Sequence, residues 1–146
     1  MEKIIEVKQN NEIFDLLNLF SPYLKSLESG EVDKLSLALK LTEKGIVIKY
    51  VVDEHPVSFA AFYCNDSIEK NAYLSLIAVL PEYTGQGIAR TMLDKVVEIS
   101  KAKGMEILRL QVRNDNERAI RLYSNYGFKM MSYNDDNTFY MEKSIS

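Results

Sequence analysis

The chain is short of the residues that build rigid or redox-active frameworks. Among its 146 residues there is one cysteine, one histidine, three prolines and six glycines. A lone cysteine, Cys64, excludes an intramolecular disulfide and fits a reducing compartment. No Cys, His and Asp cluster has the spacing of a metal site. No apolar run is long enough to span a bilayer, and the first residues, Met1-Glu-Lys-Ile-Ile-Glu, lack a signal core. Membrane insertion is therefore not expected, and a cytoplasmic location is. Basic charge is also scarce: the formal net charge is −3, which argues against non-specific nucleic-acid binding. No repeat or Gly/Ser/Pro linker divides the sequence, so residues 1–146 are read as one domain.

What is present is ordinary globular patterning, 47% hydrophobic and 27% charged. The spacing predicts a short strand at Lys3–Lys8, then a helix at Asn11–Phe20 ended by Ser21-Pro22, because the residue before proline avoids the α region. Val32–Glu43 alternates like a strand, but its Leu, Lys and Ala content favours a helix ended at Gly45. Strands are expected at Ile46–Val52, Val57–Tyr63 and Ala72–Val79. A helix carrying Ile88, Met92, Leu93, Val96 and Val97 on one face follows, capped by Gly104. Strand Ile107–Val112, helix Asn116–Tyr126 with Gly127 at its end, and a hairpin around Asn134–Asn137 complete the chain. Strands in a run suggest antiparallel pairing, and Ala72–Val112 suggests one parallel crossover. The expected fold is a mixed sheet with helices on both faces.

The sharpest local feature is a strand, a glycine turn and a helix in succession: Ala72–Val79, Leu80-Pro-Glu-Tyr-Thr-Gly-Gln-Gly-Ile-Ala89, then Arg90–Ala102. A helix N-terminus has unpaired N–H groups and a favourable dipole for an anion, and Gly85 and Gly87 let backbone amides approach one. The turn is not a dinucleotide fingerprint, since Arg90 stands where the last glycine belongs, and it lacks the Gly-Lys-Ser/Thr of a P-loop. On the glycines alone, a plain strand-to-helix turn is the favoured reading.

The wider constellation is more specific. Leu76-Ile-Ala-Val79, Pro81-Glu-Tyr83, Gly85-Gln-Gly-Ile-Ala89, Asn116-Glu-Arg-Ala119-Ile-Arg-Leu-Tyr123 and Tyr126-Gly-Phe128 occur in that order. Together they resemble the GNAT superfamily of acyl-CoA-dependent N-acyltransferases, over about Ala72 to Lys129. The resemblance implies an α/β (α+β) fold: a mostly antiparallel sheet of six to seven strands, helices on both faces, central strands splayed. It implies an acceptor side in residues 1–71 and an acetyl-CoA side in residues 72–146. The family's turn motif, Arg/Gln-x-x-Gly-x-Gly/Ala, falls on Thr84–Ala89, with Thr84 a departure at its first position. By resemblance, Thr84, Gly85, Gln86, Gly87, Ile88 and Ala89 cradle the coenzyme A pyrophosphate. Arg90 either reaches a phosphate or is a solvated surface arginine.

The resemblance also assigns the neighbouring residues. Backbone groups of Ile77, Ala78 and Val79 pair with the pantetheine arm, and one N–H, of Ile77 or Ala78, points at the thioester carbonyl. Asn116 faces the same arm and also suits a helix N-cap. Tyr123 is the expected catalytic residue, a general acid toward the departing thiolate; in isolation it reads as a core tyrosine. No general base is assignable: Glu82, Asp66, Tyr73 and His55 read as loop or face residues. Cys64 reads as a small buried residue. The implied activity is transfer of acetyl from acetyl-CoA directly to a primary amine of a small molecule or peptide, without a metal. A non-catalytic coenzyme A sensor is the alternative. The chain's acidity suits a cationic amine, Tyr23, Phe14 and Phe20 are candidates for an aromatic acceptor pocket, and a homodimer is a common assembly in the family.

Overall fold

The computed structural model describes residues 1–133 and 137–146. The expected turn residues Asn134, Asp135 and Asp136 lie outside the described residues. Seven strands form one sheet in the order β1-β2-β3-β4-β5-β7-β6. The strands are β1 Glu2–Val7, β2 Ile46–Val52, β3 His55–Tyr63, β4 Asn71–Val79, β5 Ile107–Arg113, β6 Lys129–Tyr133 and β7 Thr138–Ser144. Every pairing is antiparallel except β4 with β5. The parallel pair is joined by helix α4, Ile88–Ala102, as a crossover requires.

Helices α1 Asn10–Phe20, α2 Lys25–Glu28 and α3 Lys34–Lys44 precede the central strands, and α5 Glu117–Tyr126 follows β5. Two apolar cores result. One packs Ile88, Met92, Leu93 and Val96 of α4 and Tyr123 of α5 against Ala72, Leu74, Leu108 and Leu110. The other packs Ile13, Leu17 and Phe20 of α1 with Ala38 and Leu41 of α3 against Val47, Phe59 and Ala61. Phe59 and Ala61 enter one core while Ala60 and Phe62 enter the other, the two-residue period of a strand buried on both faces.

Three local expectations need correction. Ser21 keeps α geometry before Pro22, and the chain tightens into a 3-10 turn, Ser21–Tyr23. A proline in a first turn sacrifices only an N–H that would be unpaired anyway. Gly45 is extended rather than left-handed; a Cβ there would sit 2.7 Å from Leu41 Cδ2, so close packing explains the glycine. The β2–β3 turn is tighter than Asp53–Pro56: Asp53 and Glu54 alone take positive φ, and His55 and Pro56 already belong to β3.

Candidate functional site

The site begins where the central strands part. β4 and β5 pair from Asn71–Ile107 to Leu74–Leu110 and no further. The register of β3 against β4 passes from Phe62–Leu74 to Ala61–Leu76, leaving Ser75 as an extra residue at the point of separation. Such a bulge bends the strand that carries it. Beyond it, Leu76 to Val79 pair with β3 on one edge only.

Which amides face the gap follows from strand alternation. Leu80 N–H donates to Val57 C=O at 2.9 Å, so Leu80 faces β3. Two residues back, Ala78 faces β3 as well, and its carbonyl accepts from Ser58 Oγ at 2.8 Å. Ile77 and Val79 therefore direct their backbone groups into the gap.

The glycine turn closes one end of the gap. After the 3-10 turn Pro81–Tyr83, Gly85 and Gly87 both hold φ of +79°, which glycine adopts without strain. A Cβ at either would meet nothing within 4 Å, so conformation demands these glycines, not crowding. Helix α4 has no side-chain cap, and its first backbone bond across the boundary is Thr91 N–H to Gly87 C=O. The N–H groups of Ile88, Ala89 and Arg90 precede that bond and point off the helix end, a cradle suited to an anion.

A cavity of about 590 Å³ joins these parts. Ile77, Ala78, Val79, Thr84, Gly85, Gly87, Ile88, Ala89, Arg90, Asn116 and Tyr123 all line it. Gln86 does not; its amide reaches back to the Glu82 carbonyl at 3.4 Å. Thr84 Oγ1 donates to Pro81 C=O at 2.9 Å, which occupies the side chain within the turn. Asn116 caps α5 by accepting from Ala119 N–H at 3.1 Å while also lining the cavity. Arg90 lines the cavity with its guanidinium 5.2 Å from the Tyr126 ring centre, a cation–π contact.

Tyr123 is buried, at 8% exposure, with its ring edge-on to Phe128 at 5.5 Å. Burial, and secondly Tyr73, push its phenol up to about 12. Among the described residues its hydroxyl has no hydrogen-bond partner. The hydroxyl opens on the cavity, free to meet a ligand there.

Residues outside the expected set also line the cavity: Pro81, Tyr83, Arg118, Ala119 and Leu122. Arg118 was legible as a cation one turn into the Asn116 helix, yet sequence alone does not say which way it faces. Of the three suggested aromatic acceptor residues only Tyr23 reaches the cavity; Phe20 is fully buried and Phe14 packs on the α1–α3 core. Among the described residues no carboxylate or imidazole lines it. Cys64 stands elsewhere, 3.4 Å from Ser100 Oγ, its thiol pushed up by burial.

The family model described as "Acetyltransferase (GNAT) family" matches residues 10–128. The chain belongs to the GNAT acetyltransferase family. Thialysine N-epsilon-acetyltransferase of Bos taurus is 42% identical over 73 residues, covering 49% of this chain and 43% of that protein. [Ribosomal protein bS18]-alanine N-acetyltransferase of Escherichia coli (strain K12) is 38% identical over 69 residues, 47% of each chain. This GNAT chain thus spans about half the length, or less, of these curated relatives. The crystal structure of PaiA N-acetyltransferase from Thermoplasma acidophilum in complex with coenzyme A superposes with a TM-score of 0.76 at 23% identity, covering 97% of this chain and 99% of that one. The expected GNAT fold, with seven strands and helices on both faces, is the observed one.

Proposed function

We propose that this chain moves an acetyl group from acetyl-CoA directly to a primary amine of a small molecule or peptide. The observation that carries the reading is the Tyr123 phenol opening on the same cavity as the free amides of α4. The names of the two relatives, both amine acetyltransferases, point the same way.

Acetyl-CoA fits the residues present. The amides from Gly85 to Arg90 suit its diphosphate, with Arg90 and Arg118 as adjacent cations. Thr84 contributes backbone only, because its hydroxyl is engaged within the turn. The outward edge of β4 suits the amides of an extended arm, which would add to it as a strand adds to a sheet. The Ile77 N–H is the donor for a thioester oxygen as charge develops on it. Ala78 is not, since its backbone faces β3.

Tyr123 acts by hydrogen bonding. A thiol ordinarily titrates near 8.5, so a phenol held at about 12 is the weaker acid and keeps its proton while donating to the departing sulfur. The amine's proton leaves to water, since among the described residues no carboxylate or imidazole lines the cavity. The reading takes residues 1–146 as one domain whose donor side lies in 72–146. Among the described residues no helix is long and apolar enough to cross a membrane. The unpaired Cys64 suits a reducing compartment such as the cytoplasm.

Isothermal titration with acetyl-CoA, followed by mass spectrometry of an amine panel, tests the proposal. Saturable binding and an acetylated amine are expected. No binding at high micromolar ligand overturns it.

A further inference from the structure

Helix α4 carries a charge where its own dipole does not want one. Arg90 is its third residue, and the first turn holds no acidic residue. A helix disfavours a cation at that end. Four residues on, Asp94 stands on the same face, at the spacing of a helical ion pair. Yet the two do not pair. Among the described residues Arg90 forms no ion pair.

Tyr126, the last residue of α5, comes between them. Its hydroxyl donates to Asp94 Oδ1 at 2.7 Å. Its ring meets the Arg90 guanidinium, whose carbon lies 5.2 Å from the ring centre. One tyrosine thus engages the carboxylate with its hydroxyl and the guanidinium with its ring. The two contacts reinforce each other. A phenol donating to a carboxylate is more electron-rich, and a cation is drawn to an electron-rich ring. The platform is a fixed one: Tyr126 is half-buried, and the Phe128 ring lies against it with 6.1 Å between centres. Lys143 of β7 is a second cation at this ring, with Nζ 5.6 Å from its centre.

Arg90 lines the cavity, and Tyr126 and Asp94 do not. Either of the two can therefore influence a ligand there only through a neighbour. Arg90 and Asp94 are both exposed, so without Tyr126 the guanidinium would turn to solvent or to the carboxylate one turn away.

We propose that Tyr126 and Asp94 are positioning residues that hold Arg90 at the cavity for the diphosphate of the coenzyme. This rests on the acetyl-CoA reading and adds how one cation of that site is kept available. The diphosphate is the match because Arg90 shares its helical turn with the free N–H groups of Ile88, Ala89 and Arg90 itself. The hydroxyl acts by occupying Asp94, which would otherwise pair with Arg90. The ring acts by fixing where the guanidinium lies.

The test is a set of coenzyme A affinities by calorimetry, with melting temperatures on the same samples. Arg90→Gln should weaken binding on the order of tenfold, the scale of a charged hydrogen bond. Tyr126→Phe keeps the ring but frees Asp94, and should weaken binding about twofold, the strength of a helical ion pair. Tyr126→Leu also removes the ring and should weaken it about fivefold. Adding Asp94→Asn to Tyr126→Phe should restore the parent affinity, while Asp94→Asn alone should change it little. In the Arg90→Gln background neither Tyr126 substitution should weaken binding further.

Tyr126 substitutions that weaken binding equally with and without Arg90 overturn the inference, since they would then act on the cavity wall directly. An equal gain from Asp94→Asn whether residue 126 is Tyr or Phe also overturns it, because that is plain charge repulsion. Tyr126→Phe removes a single oxygen, so it carries the cycle alone if Tyr126→Leu does not fold. Coenzyme A binding that is indifferent to Arg90→Gln sinks this inference alone. A parent protein that does not bind coenzyme A sinks the acetyl-CoA reading and this inference with it.

Discussion

Ser58 and Ala78 fix the orientation of β4: the Ser58 hydroxyl, fully buried, donates to the Ala78 carbonyl at 2.8 Å. This bond and the strand ladder hold Ala78 against β3, and alternation turns Ile77 outward. The same contact supports the fold, because it satisfies a polar group inside an apolar core. Ser58→Ala should lower the unfolding free energy by about 1 kcal/mol, the usual net worth of such a bond. Urea denaturation reads this as a lower midpoint with unchanged slope. An unchanged midpoint would show that the hydroxyl is not engaged.

Tyr123→Phe separates chemistry from packing. The substituted ring keeps its edge contact with Phe128, and the lost hydroxyl has no described protein partner to miss it. Removing a hydroxyl that faces the cavity should leave the melting temperature close to the parent's. Turnover should fall by roughly a hundredfold if the phenol supports the leaving sulfur, with acetyl-CoA affinity retained. Steady-state kinetics and calorimetry on the same preparation check both halves. A protein that loses stability and affinity together would return Tyr123 to an ordinary core role.

These contrasts mark what the sequence could and could not reveal. Helix α4 and strands β2 and β4 were legible because their apolar residues recur with clear periods. Helix α2 was not, since a single turn at Lys25–Glu28 carries no periodicity. The glycine-turn residues were readable because they lie close together in the chain and their geometry is backbone geometry: a glycine at φ +79° is required wherever that turn occurs. Residues brought together across the sheet are different. Tyr63, Tyr73, Arg109 and Glu142 come from four strands and become neighbours only through register. Tyr73 consequently reads as a face residue in sequence, although it is half-buried beside the strand gap.

Gly87→Ala tests whether backbone conformation forms the anion cradle. There is room for the methyl group, so no clash is expected. The cost is the left-handed backbone, about 1–2 kcal/mol for an L-residue. Relieving it would rotate the Ile88 and Ala89 amides away from the cavity and weaken acetyl-CoA binding several-fold. Gly30 is a matched control: it has the same φ and equally open surroundings, but lies in the α2–α3 loop. Gly30→Ala should show a similar stability loss and no change in affinity. Equal affinity losses in both variants would argue against a cradle at Gly87.

Activity at moderate pH should follow the acceptor. With no carboxylate or imidazole among the described residues lining the cavity, kcat/KM should rise with pH until the acceptor's own ammonium is deprotonated. Two acceptors of different amine pKa should then give two different limbs. A limb that stays fixed when the acceptor changes would reveal an enzyme base instead.

Tyr123 should govern the alkaline end of stability. Its folded phenol titrates at about 12, raised first by burial and then by Tyr73, against about 10 when unfolded. Below pH 10 both states hold the proton and its contribution is fully present. Between pH 10 and 12 the unfolded chain releases the proton while the folded one keeps it, so stability falls as pH rises. The loss approaches about 2–3 kcal/mol once pH passes the folded value. Denaturant midpoints measured from pH 9 to 12 should drop more steeply in the parent protein than in Tyr123→Phe, which lacks the ionisable group. Parallel profiles would mean that the phenol reaches solvent and titrates in the folded state as it does in the unfolded one.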